Sequence, residues 1–208
     1  MLVIKYKIKS LFKYIFILPV LSFCLMGSSC TKEKIITKTL VLKDTVFITQ
    51  YDTVFLKQYL SDSATTFILV RHAEKEVGGS NPDLSPAGIL RAQQLKHLLS
   101  RIPLTGIYST HYNRTEQTAQ PVAGDHQLPI EYYNPTDLNQ LITRVKSRHF
   151  NKKVLVVGHS NTTPKLANLL LNQHIFSSIP DSEYDNIYLI RVYRSSPAEA
   201  LHLKFGNP

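Results

Sequence analysis

Phe67-Ile68-Leu69-Val70-Arg71-His72-Ala73-Glu74-Lys75 carries four consecutive apolar residues straight into a guanidinium and an imidazole. An apolar run without alternation suits a strand buried on both faces, as strands of parallel sheets are. A second run of the same kind, Val154-Leu155-Val156-Val157-Gly158, ends in His159. In open α/β sheets, ligands bind beyond the carboxyl ends of the strands. Two buried strands that each stop at a histidine therefore predict a site at one edge of a sheet.

The segments around these runs alternate between helical and extended patterns. Ser85-Pro86 opens a helix, with Ser85 as N-cap and Pro86 at the first helical position. Its apolar stripe is Ile89, Leu90, Leu95, Leu98 and Leu99. Gly106-Ile107-Tyr108-Ser109 reads as a short strand, and Asn113 to Ala123 as a helix that Pro121 should kink or end. Pro129 to Tyr133 is a further strand, leading to a helix opened by Thr136 with Leu138, Leu141, Ile142 and Val145 on one face. Thr163-Pro164 starts another helix, with Leu166, Leu169 and Leu170 toward the core. Ile187 to Val192 and Leu201 to Phe205 are the last strands. The succession predicts an α/β fold, a three-layer sandwich with a largely parallel central sheet, over residues 65–208.

The residues upstream read differently. Lys5, Lys7, Lys9 and Lys13 precede an apolar run from Tyr14 to Met26 that is interrupted by Pro19. That run is short of the roughly 20 apolar residues a spanning helix needs, so 1–29 reads as a signal peptide. Gly27-Ser28-Ser29 before Cys30 resembles a bacterial lipobox, with Gly27 where an aliphatic residue is usual; an uncleaved membrane anchor is the alternative. On the lipobox reading Cys30 is lipidated, and the protein is exported and held to a membrane of the cell envelope. Residues 30–64 read as an extended stalk in which Asp44-Thr45-Val46-Phe47 recurs as Asp52-Thr53-Val54-Phe55.

Composition narrows the function classes. Only Cys24 and Cys30 are present, so the domain has neither a thiol nucleophile nor a disulfide framework. The formal net charge is +9; without the four leader lysines, 20 Lys+Arg stand against 15 Asp+Glu, a net of +5. That excess suits an anionic substrate, and no basic block interleaved with aromatics indicates nucleic acid. No His-x-x-x-His spacing indicates a metal centre, and no cofactor is implied.

The histidines at the two strand ends, with Arg71 and with Arg114 near the end of a third strand, would form a dense cationic cluster. Such a cluster is costly unless an anion occupies it. Phosphate fits, because guanidiniums bind its oxygens bidentately, and an imidazole nitrogen in its midst can attack phosphorus.

Four motifs in order then resemble one family. Arg71-His72-Ala73-Glu74-Lys75, Leu84-Ser85-Pro86-Ala87-Gly88, the Ser109…Arg114…Gln117-Thr118-Ala119 pattern and Gly158-His159-Ser160 are similar to the signatures of the histidine phosphatase (phosphoglycerate mutase-like) superfamily, branch 1. The resemblance implies a metal-independent phosphatase with His72 as phosphoryl acceptor and Arg71, Arg114 and His159 around the phosphate. Ser85 and Asn161 are added as candidate substrate contacts. The expected substrate is a phosphorylated small molecule or a phosphoprotein, either a monoester or a phosphoamidate; the compact domain favours a phosphatase over a mutase. The family's general acid is a carboxylate downstream of the second arginine, for which Asp137 is preferred over Glu131. Phosphohistidine phosphatases of this family manage without one, so a missing acid would point to a phosphoamidate.

Two other readings remain. A non-catalytic phosphate-binding module would keep the same cluster. Gly158-His159-Ser160-Asn161-Thr162 approximates a nucleophile elbow, which would make Ser160 the nucleophile with Asp181 or Asp185 and His202 as partners.

Overall fold

The computed structural model describes residues 64–206 and two short strands, β1 (Ile4–Lys7) and β2 (Thr45–Ile48), which pair antiparallel. β2 falls on the first copy of the repeat. The rest of the leader, Cys30 and the remainder of the stalk lie outside the described residues.

The domain is a six-stranded sheet of β3 (Thr65–Arg71), β4 (Leu104–Ser109), β5 (Ile130–Tyr132), β6 (Lys153–Gly158), β7 (Asn186–Val192) and β8 (Glu199–Lys204). Their spatial order is β5-β4-β6-β3-β7-β8. β5, β4, β6 and β3 run parallel, while β7 and β8 are antiparallel additions beside β3. The two unbroken apolar runs are thus the adjacent central strands, with Arg71 opposite Gly158 at their shared end.

Alternate residues of each central strand serve opposite faces. Ile68, Val70, Leu155 and Val157 pack with Leu95 and Leu99 of α1 (Pro86–Leu99) and with Ala119, Val122 and Ala123 of α2 (Asn113–His126). Phe67, Leu69, Val154 and Val156 pack with Leu138, Leu141 and Val145 of α3 (Leu138–Arg148) and with Leu166, Ala167 and Leu170 of α4 (Thr162–Leu171). Two helices on each face make the three layers that the alternation of elements predicts.

Ser85 caps α1 as expected, accepting from the Gly88 amide at 3.2 Å, with Pro86 in the first turn. Ile89 and Leu90, expected in the apolar stripe, are instead 54% and 65% exposed. Small Gly88 and Ala92 hold the buried face there, which lets the helix approach the chain at Glu74: a Cβ on Gly88 would overlap the Glu74 carbonyl. Leu169 is likewise exposed, its place in the core taken by Ala167 and Leu171.

Pro121 does not end α2, which runs on to His126. A proline there removes one backbone hydrogen bond, but the residues around it, Ala119, Val122 and Ala123, are all buried and hold the helix to the sheet. α3 is capped by Asp137 rather than Thr136, one residue later than expected. Among the described residues, no helix is long and apolar enough to cross a membrane.

Candidate active site

The strand order decides which side chains meet. His72 follows β3, and its amide donates to the Gly158 carbonyl at 2.9 Å, continuing the ladder with β6. His159 follows β6, and the two imidazole rings lie 5.7 Å apart at an angle of 66°. β4 flanks β6 on its other side, so Thr110, just beyond its end, reaches His159: Thr110 Oγ1 lies 2.9 Å from Nε2. Thr115, in the first turn of α2, hydrogen-bonds the same hydroxyl at 3.0 Å, beside Arg114.

His72 is buried, with its Nδ1 2.8 Å from the Ala73 carbonyl oxygen. A carbonyl only accepts, so Nδ1 carries the proton and Nε2 keeps a lone pair. Burial pushes the His72 pKa down to about 3; the bond to Ala73 opposes this, and the charges of Arg71, Arg114 and His159 add to it. His159 is pushed down to about 4, first by burial and then by Arg114 and Arg71. Both imidazoles are neutral near neutral pH.

Arg71 is 4% exposed and is held by one short segment before β7. Its Nη1 lies 2.9, 3.1 and 2.9 Å from the carbonyl oxygens of Pro180, Asp181 and Glu183, and its Nη2 lies 3.5 Å from the Asp181 carboxylate. The Tyr184 ring covers its guanidinium at 4.2 Å. Arg114 lies over Tyr112 at 4.6 Å, and its pKa is lowered by burial. The Nε atoms of Arg71 and Arg114 are the two buried side-chain polar atoms without a hydrogen-bond partner among the described residues. Buried donors are nearly always paired, so two orphans beside one pair of imidazoles mark a place for an oxyanion.

The structure brings together Arg71, His72, Arg114 and His159, while Ser85, Asp137 and Glu131 have hydrogen-bond or ion-pair partners outside that cluster. Ser85 caps α1, its Oγ also 3.3 Å from the Glu74 carbonyl. Glu74 ion-pairs with Arg91 at 2.7 Å, tying the loop after His72 to α1. Asn161 is exposed at the N-cap of α4 without a side-chain cap bond. Asp137 accepts from the Gln140 amide at 3.0 Å, and Glu131 pairs with Arg148 at 2.9 Å. Neither carboxylate has a hydrogen bond or ion pair to the cluster among the described residues.

The partners suggested for Ser160 are also engaged elsewhere. His202 Nε2 meets Asn186 Oδ1 at 2.8 Å and its ring stacks on Tyr188, while Asp181 lies against Arg71 and Asp185 against Lys204. Sequence reasoning missed Thr110, Tyr112 and Tyr184. Thr110 and Tyr112 lie inside the matched third motif, and their position between a strand end and Arg114 was the available signal.

Paired imidazoles and paired guanidiniums at the carboxyl ends of the parallel strands form an α/β site suited to an oxyanion. Residues 67–134 match the model of the histidine phosphatase superfamily (branch 1). Similar solved folds include the protein histidine phosphatase SixA in complex with tungstate, at a TM-score of 0.56 and 14% identity over 67% of this chain and 96% of that one. An Escherichia coli K-12 protein provisionally assigned as an alpha-ribazole-5'-P phosphatase gives 0.53 at 18% identity, covering 70% and 97%. A mycobacterial glucosyl-3-phosphoglycerate phosphatase gives 0.52 at 11% identity, covering 66% and 97%. Comparison with curated proteins gave no significant match.

Proposed function

We propose that the domain is a metal-independent phosphatase that forms a phosphohistidine on His72 Nε2. The observation that carries this is the neutral His72, its tautomer set by Ala73, beside two buried guanidinium Nε–H donors that lack acceptors. Nε2 attacks phosphorus in line, the bond to the leaving atom breaks, and its electron pair departs with the leaving group. Water then attacks the phosphohistidine, the P–N bond breaks, and phosphate leaves as Nε2 regains its lone pair. Arg71, Arg114 and His159 stabilise the charge on the equatorial oxygens; such preorganised donors are typically worth about a hundredfold to a thousandfold each in rate.

The engagement of Asp137 and Glu131 favours leaving groups that need little protonation. A phosphoamidate or an activated ester meets that condition, whether it is carried on a small molecule or on a phosphoprotein. The basic leader, the short apolar run and Cys30 support export and attachment to a membrane of the cell envelope through a lipid.

The full-length protein, purified in a non-ionic detergent, should turn over p-nitrophenyl phosphate in the presence of EDTA. His72→Ala should lose at least about a thousandfold, and Ser160→Ala should stay near wild type. Turnover that survives His72→Ala but not Ser160→Ala would replace this reading with a serine hydrolase. Wild-type inactivity accompanied by a rise in melting temperature on adding phosphate would leave only a binding module.

A further inference from the structure

Two tyrosines frame the cationic cluster, one against each arginine. The Tyr184 ring centre is 4.2 Å from the Arg71 guanidinium carbon and 5.9 Å from the His72 ring. The Tyr112 ring centre is 4.6 Å from the Arg114 guanidinium carbon and 5.2 Å from the His159 ring, perpendicular to it. With the histidines 5.7 Å apart, four rings are successive neighbours: Tyr112, His159, His72 and Tyr184. Arg71 and His72 are each 4% exposed, whereas Tyr112 is 37% exposed and Tyr184 half-buried. Arg71 and His72 therefore lie deepest, Arg114, His159 and Tyr184 are half-buried, and Tyr112 is the most exposed of the group.

A separate observation sets Tyr112 apart. It is the N-cap residue of α2, with extended φ −131° and ψ 141°, and it makes no side-chain cap hydrogen bond. Asn, Asp, Ser and Thr are strongly preferred there because their side chains satisfy an orphan helix amide. A tyrosine forgoes that bond, and local rules are broken most often at functional sites.

We infer that Tyr112 and Tyr184 select the group that carries the phosphate, and that this group is a planar aromatic or heteroaromatic ring. The inference rests on the phosphatase reading of His72. A phosphoryl group seated between Arg71 and Arg114 must present its carrier outward, past the two tyrosines. A ring gains edge or face contacts there beyond simple burial. A polyol loses hydration against ring surfaces that return few hydrogen bonds.

The test uses inhibitors rather than substrates, so that leaving-group chemistry plays no part. Against p-nitrophenyl phosphate turnover by the full-length protein, phenylphosphonate should inhibit about tenfold more tightly than methylphosphonate. In Tyr112→Asn and Tyr184→Leu that ratio should fall toward one, with inhibition by inorganic phosphate nearly unchanged. Tyr112→Asn restores a preferred cap and should melt no lower than wild type, so its loss of discrimination cannot be ascribed to unfolding.

Equal inhibition of the wild type by the two phosphonates would overturn the inference while leaving the phosphatase reading intact. So would variants that lose inorganic phosphate and phenylphosphonate in equal measure, since the tyrosines would then only hold the arginines. A wild type that neither turns over substrate nor binds phosphate would remove the phosphatase reading itself, and this inference with it.

Discussion

A neutral imidazole buried beside two guanidiniums leaves a thermodynamic trace. In the unfolded chain His72 and His159 take up protons near their ordinary pKa of 6.5, but in the fold they resist protonation down to about 3 and about 4. His149, enclosed by Thr105 and Tyr108, is lowered too, chiefly by burial. Between those limits the unfolded state binds more protons, so stability rises with pH there. The contribution is complete above pH 6.5 and is lost as the pH falls through the folded values. The melting temperature should therefore drop steadily from about pH 7 to about pH 4, and less steeply in His72→Asn. A flat profile in the wild type would contradict the burial argument. Arg71, His72, Arg114 and His159 were legible because strand ends and motif spacing identify them without any long-range contact. Tyr184 was not, since its place over Arg71 depends on how the segment before β7 folds back over a hundred residues.

At the scale of elements, Asp137 offers the sharpest test. Its carboxylate caps α3, a role worth typically about 1 kcal/mol. Asp137→Ala should lower stability by about that amount in urea denaturation while p-nitrophenyl phosphate turnover persists. A loss of turnover greater than about a hundredfold, in protein that remains folded, would restore Asp137 as the proton donor. The helices themselves could be read from periodicity, caps and prolines; which side of each one faces the sheet could not be read fully. Ile89, Leu90 and Leu169 fit an apolar stripe by type, yet the packed faces of α1 and α4 include Gly88, Ala92 and Ala167. Close approach of a helix to its neighbour favours small residues over large apolar ones, and hydrophobic patterning does not register that preference.

At the scale of the whole molecule, the sheet's central strands carry both the core and the site. Leu155, in β6, is fully buried between the flanking strands. Leu155→Ala should cost about 2–5 kcal/mol. Phosphate should recover part of that loss if it binds the native site, since a ligand that binds only the folded state adds stability as its concentration passes its dissociation constant. Urea curves of the variant with and without phosphate would measure both quantities, and a midpoint indifferent to phosphate would count against the site. The class of fold was readable because unbroken apolar strands alternate with helices. The antiparallel turn of β7 and β8 was not, because a strand's sequence says little about the direction of its neighbour.

The place of β3 in that sheet has a kinetic consequence. The first strand of the domain to be synthesised is also a central one, and its partners are residues 153–158 and 186–192. The first ladder waits for residue 158 and the second for residue 192, and pairings this distant in sequence are reached slowly. A nascent chain with so late a closing step lacks its central ladders for most of its synthesis. Until its last strands are made, such a chain exposes apolar segments that a chaperone can hold.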